Sequence, residues 1–165
     1  MLKIFNDLEP FFKDNYGRIS IREYARIRKI SPPSASTLLN ELCKDGLLIR
    51  EEEKIYIFFA ANRENHLFVH LSRIYWYTLI NKSGLLSYFN NELVSPLVIL
   101  FGSFSKAEIT QKSDIDIAIK AQKKKLNVTQ FEKKLQREIQ VVFYNGAKIN
   151  LQNSILNGFI LSGSW

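Results

Sequence analysis

Cysteine is nearly absent from this chain of 165 residues, since Cys43 is the only one. A single cysteine excludes an internal disulfide framework and is typical of a reducing compartment. Histidine is also scarce, with His66 and His70 one helical turn apart. No cysteine or carboxylate pair nearby completes a zinc-type ligand set, so we interpret both as ordinary helix-face residues.

Long hydrophobic runs are missing as well. The longest apolar-looking stretch, residues 66–80, includes Arg73 and both histidines and is too short to cross a bilayer. The first residues, where Asp7 and Glu9 interrupt the apolar pattern, do not read as a secretory signal. We therefore expect a cytoplasmic protein that does not enter a membrane.

The overall composition indicates a folded protein with a basic surface. Hydrophobic residues make up 46% of the chain and charged residues 24%, which excludes a disordered chain. The net charge is +7 and the pI is near 9.5. This charge is consistent with binding to nucleic acid or to a polyanionic small molecule, and equally with an ordinary basic surface.

One stretch, residues 97–119, combines two strand-like segments with a polar connection. Its apolar, β-branched start has the length and composition of a buried strand, and Gly102 and Ser103 end that strand. The second strand-like segment includes Asp114 and Asp116. Because side chains alternate along a strand, the two carboxylates are expected on one face.

Two adjacent carboxylates repel each other unless a cation lies between them. Oxygen ligands favour Mg²⁺ or Mn²⁺. The Gly-Ser turn at the start of a helix would offer unpaired main-chain N–H groups to a phosphate. Together these features predict a site for a metal-bound nucleoside triphosphate.

The pattern of Gly102-Ser103, ten further residues and then Asp114-Ile115-Asp116 resembles the signature of the DNA polymerase beta-like nucleotidyltransferase superfamily. Within that superfamily the chain resembles the minimal nucleotidyltransferases. The resemblance implies that Asp114 and Asp116 hold Mg²⁺ or Mn²⁺ and that ATP or another NTP is the substrate. It also implies a set of residues around the phosphates: Gly102, Ser103, Lys106 and Ser113.

The chain departs from the family pattern at two places. Family members often have Arg-Ala-x-Gly after the Gly-Ser turn, whereas residues 105–108 read Ser-Lys-Ala-Glu. The family also usually places a third carboxylate on the next strand, where this chain has Gln140. A glutamine cannot accept the proton of an attacking hydroxyl, so we consider Glu138, two residues earlier, as the catalytic substitute.

The first sixty residues predict three helices followed by a β-hairpin. The predicted helices cover residues 2–13, 21–29 and 31–46, and the hairpin strands cover residues 47–50 and 54–59 with an acidic turn between them. This plan resembles a winged helix-turn-helix. The third helix would then enter the major groove of DNA. Five of its polar residues are the candidate DNA contacts: Ser34, Ser36, Thr37, Asn40 and Lys44. The alternative is a module for protein interaction or dimerisation.

The remaining chain completes an α+β protein of two domains and a linker. We predict a winged helix-turn-helix over 1–61, linking helices over 62–93 and a nucleotidyltransferase α/β domain with a small mixed sheet over 94–165. A third strand of that domain is expected at residues 139–144, and a terminal helix, broken near Gly158, at residues 147–161. The lysine-rich residues 120–125 are read either as a solvated loop or as added attraction for phosphates.

Three functions are compatible with these features. The first is a metal-dependent transfer of a nucleoside monophosphate, AMP from ATP by default, to a hydroxyl. The minimal nucleotidyltransferases often act as antitoxins on a small helical HEPN-type toxin, so a protein acceptor is implied. The second is a DNA-binding regulator whose nucleotidyltransferase domain binds nucleotide or a partner without turnover. The third, a purely structural adaptor, is disfavoured because paired aspartates without a metal are costly. A homodimer is also considered.

Overall fold

A computed structural model describes residues 2–164. The chain divides into two compact units, one formed by Met1–Ser72 with Ala107–Gln111 and the other by Arg73–Lys106 with Lys112–Trp165. The fold class is mixed α+β with two small sheets. In chain order the elements are α1 (Lys3–Lys13), β1 (Arg18–Ser20), α2 (Ile21–Arg28), α3 (Pro32–Lys44), β2 (Leu48–Glu53), β3 (Tyr56–Ala61), α4 (His66–Ser83), α5 (Leu85–Glu92), β4 (Leu97–Phe101), α6 (Gly102–Lys106), β5 (Ile115–Lys120), α7 (Thr129–Leu135), β6 (Ile139–Phe143), α8 (Ile149–Leu156) and β7 (Phe159–Ser162).

The first unit places three helices with a three-stranded antiparallel sheet of order β1-β3-β2. Both of the later helices begin at a serine cap, because the Ser20 hydroxyl accepts from the Glu23 N–H and the Ser31 hydroxyl from the Ser34 N–H. The core is formed by fully buried side chains of the helices and of β3: Leu8, Phe11, Phe12, Tyr24, Ala35, Leu39, Phe59 and Phe68.

Three details of the first unit differ from the sequence predictions. The acidic residues predicted as a turn lie inside β2, and the hairpin turns at Lys54, whose φ is +58°. Arg18 forms ion pairs with Glu51 at 3.6 Å and with Glu53 at 3.1 Å, which accounts for carboxylates in a strand. Strand β1 was not predicted, and α1 is one continuous helix although Pro10, at which a kink or a new helix start was considered, lies inside it.

The second unit is built on a mixed sheet of order β6-β5-β4-β7. Strand β4 runs antiparallel to β5 and β7, while β5 and β6 are parallel. All five residues of β4 are buried, as the apolar sequence predicts. On one face Ile155 of α8 packs against residues of β4 and β5. The rings of Trp76 in α4 and Phe104 in α6 meet edge-to-face at 4.6 Å.

The predicted terminal helix is wrong beyond residue 156. The chain turns at Gly158 and returns as β7, antiparallel to β4. A Cβ at Gly158 would lie 2.6 Å from both the Ile99 side chain and the Leu100 carbonyl oxygen, so this turn requires glycine.

None of the helices within residues 2–164 has both the length and the apolar character needed to span a membrane.

Candidate active site

The sheet of the second unit brings the Gly-Ser turn and the aspartates together. Phe101, the last residue of β4, lies opposite Asp116 in the antiparallel ladder with β5. Gly102 therefore begins α6 directly beside the first residues of β5. Asp114 precedes that strand by one residue, and both aspartates are half-buried. A separation of ten residues in sequence becomes direct proximity in space.

Gly102 is required at its position by both backbone conformation and space. Its φ is +67°, in the left-handed region that glycine adopts without strain. A Cβ at this position would collide with Oδ2 of Asp116 and lie 3.0 Å from its carboxyl carbon. The absence of a side chain lets the Asp116 carboxylate approach the main chain where the strand becomes a helix.

Burial, and then the nearby charge of Asp114, raises the pKa of the Asp116 carboxyl above its usual range. Both causes disfavour the ionised form, because the group loses water and faces a second negative charge. A bound cation between the two carboxylates would reverse this effect. Ionisation of both carboxylates at once is therefore unfavourable in the protein alone.

Gln140 lies at the position where the resemblance implies a third carboxylate. It is the residue opposite Asp116 in the parallel ladder between β5 and β6. Its Nε2 donates to Oδ2 of Asp114 at 2.9 Å. The side chain at this position therefore reaches the aspartate pair, but it brings a neutral donor instead of a negative charge.

Glu138 lies just before β6, on the strand extension that still pairs with β5. Its carbonyl oxygen accepts from the Ile115 N–H at 2.8 Å. Because alternate residues share a strand face, Glu138 is on the side of Gln140, and its side chain is exposed. The geometry therefore leaves Glu138 available on the face of the aspartates.

The phosphate-binding candidates lie on α6 and in the connection before β5. Ser103 is half-buried in the first turn of α6, and Lys106 is exposed at its end. Ser113 directly precedes Asp114 and is half-buried. A hydrogen bond within α6 stabilises this short helix: the Ser105 hydroxyl donates to the Gly102 carbonyl at 2.9 Å.

Two arginines that sequence reasoning missed support this region. Arg73 of α4 donates from Nε to the Ser105 carbonyl at 2.5 Å, and burial lowers the pKa of its guanidinium. Arg137 donates to the Ser113 carbonyl at 3.3 Å and lies over the rings of Trp76 and Phe104. Both lie far from the motif in sequence, so only the fold reveals their role.

The residues fit a divalent cation that is shared with a substrate. No group of three or more histidine, cysteine, aspartate or glutamate side chains within residues 2–164 is arranged as a complete metal cage. Magnesium is commonly held by one or two carboxylates together with substrate phosphates, and Asp114 with Asp116 supplies that set. The close approach of the Asp116 carboxylate to Gly102, beside Asp114, is the observation that favours this fit.

The five candidate DNA contacts lie together on α3, in the other unit. Four of them are exposed, and Ser36 is half-buried. Several of the side chains are engaged locally: Thr37 donates to the Pro33 carbonyl at 3.2 Å, and Asn40 to the Ser36 carbonyl at 2.8 Å. The Ser34 hydroxyl is hydrogen-bonded to the Ser31 hydroxyl at 2.8 Å. Lys44 is exposed at the last position of the helix.

Comparisons with known proteins bear on the second unit. A search of curated proteins gives no significant match. A solved structure described as "Crystal structure of the toxin-antitoxin with AMP-PNP" is 24% identical, with a TM-score of 0.44, over 51% of this chain and 74% of that chain. At this TM-score the likeness carries no argument about function. The family model "Polymerase beta, Nucleotidyltransferase" matches residues 85–163. This segment contains the Gly-Ser turn, both aspartates and Gln140, so the similarity to that family covers the candidate site.

Proposed function

We propose that the protein is a metal-dependent nucleotidyltransferase that transfers a nucleoside monophosphate to a hydroxyl group, with ATP as the donor to test first. The observation that carries the proposal is the aspartate pair beside Gly102, in which Asp116 has a raised pKa. The family match over residues 85–163 supports the same reaction class.

Each residue of the site has a role in this proposal. The main-chain N–H groups of Gly102 and Ser103 bind the terminal phosphates, and Lys106 and Ser113 add charge and a hydroxyl nearby. Asp114 and Asp116 hold Mg²⁺ or Mn²⁺, which supplies charge stabilisation for the triphosphate when bound. The acceptor oxygen bonds to the α-phosphorus, the bond to the β-phosphate oxygen breaks, and pyrophosphate leaves. Glu138 accepts the proton of the attacking hydroxyl.

Calorimetry with ATP and Mg²⁺ tests the binding step. We expect binding by the unmodified protein that requires the metal, and none by the Asp114→Ala/Asp116→Ala variant. Label transfer from α-³²P-ATP to a component of a cell lysate then tests turnover. Metal-independent binding, or none at all, would contradict the proposal.

We further propose a protein acceptor, a small helical HEPN-type toxin, on which the chain acts as an antitoxin. This part depends on the resemblance to the minimal nucleotidyltransferases. We also propose that the first unit is a winged helix-turn-helix, as its sequence pattern suggests, and that α3 binds DNA through Ser34, Ser36, Thr37, Asn40 and Lys44. Labelling of a co-expressed toxin, and its absence with Asp116→Ala, tests the acceptor.

The second candidate function is a DNA-binding regulator whose nucleotidyltransferase domain binds nucleotide without turnover. The hydrogen bond from Gln140 to Asp114 favours it, because an amide fills the place of the third acid. The two functions make different predictions for label transfer. Metal-dependent binding of ATP without transfer to any acceptor would select the regulator.

A further inference from the structure

The net positive charge of the protein comes from one of its two units. The second unit, Arg73–Lys106 with Lys112–Trp165, carries twelve lysines and arginines against five aspartates and glutamates, a net charge of +7. The first unit carries eleven of each sign and is net neutral. A basic surface, and the attraction for acidic partners that follows from it, therefore belongs to the second unit.

Part of this charge lies in the lysine loop, residues 122–125, which follows the C-terminal end of β5. Lys124 forms an ion pair with Glu92 at 2.6 Å, which ties the loop to the end of α5. Lys123 and Lys125 are exposed. The loop and the end of β6 enclose a cleft of about 520 Å³, which is lined by Lys123, Val141 and Phe143 among others. One basic side chain, that of Lys123, thus lines the cleft together with the apolar residues of β6.

The adjacent strand β6 is an edge of the sheet, since β5 is its only neighbour among the described strands. The Glu138 carbonyl faces β5, whereas the Ile139 N–H faces away from it and donates to the Glu132 side chain at 3.0 Å. By alternation, the main chain of Val141 and the N–H of Phe143 also face away from β5. These groups are available to a further strand.

Apart from the Glu132 carboxylate that accepts from the Ile139 N–H, strand β6 lacks the features that usually protect a sheet edge. Its sequence, Ile-Gln-Val-Val-Phe, contains no proline, no charged residue and no glycine, and its pairing with β5 runs without a bulge. Such an edge is a template for strand addition. An edge of this kind that stayed exposed to solvent would promote aggregation. We therefore expect that a partner protein covers the β6 edge.

We propose that the β6 edge binds an extended acidic segment of a partner protein as an additional strand, with its carboxylates beside Lys123. Charge complementarity decides between the occupants. A second copy of this chain would bring a second unit of net charge +7 to the same edge, which electrostatic repulsion opposes. An acidic strand is attracted by the same charge. This inference concerns docking and does not depend on nucleotidyl transfer.

Fluorescence anisotropy with the full chain tests the proposal. The probe is a labelled decapeptide of alternating Glu and Val residues, and the matched control peptide has Lys in place of Glu. We expect saturable binding of the Glu-Val peptide that weakens as salt is raised, and binding of the Lys-Val peptide that is at least tenfold weaker.

Two variants separate the main-chain contribution from the charge. Val141→Pro removes an N–H that faces away from β5, so it is expected to leave the ladder intact and to lower peptide affinity at least tenfold. Lys123→Glu is expected to lower affinity several-fold and to reduce the salt dependence. Lys3→Glu is the matched control, because it changes the charge equally at an exposed residue of the first unit.

Three results would overturn the proposal. Unchanged affinity in both Val141→Pro and Lys123→Glu would show that the peptide binds elsewhere. Sedimentation of the unmodified chain as a dimer that Val141→Pro dissociates would assign the edge to a second copy. A single-stranded oligonucleotide that displaces the peptide and binds Val141→Pro as tightly as the unmodified chain would assign the lysines to nucleic acid.

Discussion

At the scale of single residues, Gly102 is the position where the site tolerates least change. The Gly102→Ala substitution forces a side chain against the Asp116 carboxylate and places alanine at a φ of +67°. We expect a loss of about 2 kcal/mol in the free energy of unfolding and loss of metal-dependent ATP binding. Urea denaturation and calorimetry measure the two effects.

Gly146→Ala provides the matched control for this substitution. A Cβ at Gly146 would meet no atom within 4 Å, and its φ lies outside the left-handed region. Stability and ATP binding should therefore remain those of the unmodified protein. Equal effects from both substitutions would contradict a specific role for Gly102.

The raised pKa of Asp116 predicts that the stability of the folded protein depends on pH. Its folded-state pKa is raised, by burial first and by Asp114 second, so the folded protein binds the proton more tightly than the unfolded chain. Stability is lost as the pH rises from the unfolded carboxyl pKa of about 3.9 through the folded pKa. In EDTA, Asp116→Asn should therefore raise the Tm at pH 7, and the difference should disappear below about pH 3.5.

Thermal scans from pH 3 to pH 8 measure this effect. Glu108→Gln serves as the control, because Glu108 is exposed and should show no comparable gain. If the Asp116→Asn variant were less stable than the unmodified protein at pH 7, the ionised Asp116 carboxylate would not destabilise the folded state and the prediction would be wrong.

At the scale of elements, α1 and α2 are joined by a largely buried ion pair. Nη2 of Arg28 lies 2.9 Å from Oδ1 of Asp7, whose side chain is 6% exposed. The Tyr24 hydroxyl donates to the Asp7 carbonyl oxygen at 2.8 Å. Burial, followed by the charge of Asp7, raises the pKa of Tyr24 to about 12, so this donor stays protonated at neutral pH.

Removal of the arginine should therefore be costly. Arg28→Met leaves the Asp7 carboxylate buried without its cation, and we expect a loss of about 3 kcal/mol in the free energy of unfolding. Arg26→Met is the control, since Arg26 lies exposed on the same helix and should change stability by less than about 0.5 kcal/mol. Urea denaturation at pH 7 compares them, and similar losses would contradict the prediction.

Sequence patterns predicted the elements whose signals are local. The apolar run of β4 and the serine caps of α2 and α3 act within a few residues, so their physical effect is visible in the sequence. The proximity of Gly102 to the aspartates was predicted as well, because a specific motif accompanied it. These are features for which neighbours in sequence supply most of the interactions.

The elements that were missed depend on distant partners. The segment that forms β7 has an apolar pattern compatible with a helix, and its pairing with β4, some sixty residues earlier, makes it a strand. Similarly, the carboxylates of Glu51 and Glu53 became acceptable in β2 because Arg18 lies beside them. Gln140 was recognised as a departure, but its bond to Asp114 required the register of β5 and β6.

At the scale of the whole molecule, the net charge is divided unevenly between the two units, and this bears on DNA binding by the first unit. Net basicity does not support it, because that unit is neutral. The proposal depends instead on local cations such as Lys44, which is exposed at the end of α3. A contact between a lysine and a phosphate contributes to affinity and to its salt dependence without reading sequence.

Lys44→Glu therefore tests the DNA-binding proposal directly. If α3 binds the duplex, the substitution should weaken binding of a genomic fragment upstream of the coding sequence and lower the slope of log K against log salt by about 1. Lys123→Glu, which makes the same change of charge in the other unit, should leave that slope nearly unchanged. Filter binding over a salt series measures both slopes. A slope that falls only with Lys123→Glu would assign nucleic-acid contact to the basic second unit and leave α3 as a surface for protein interaction.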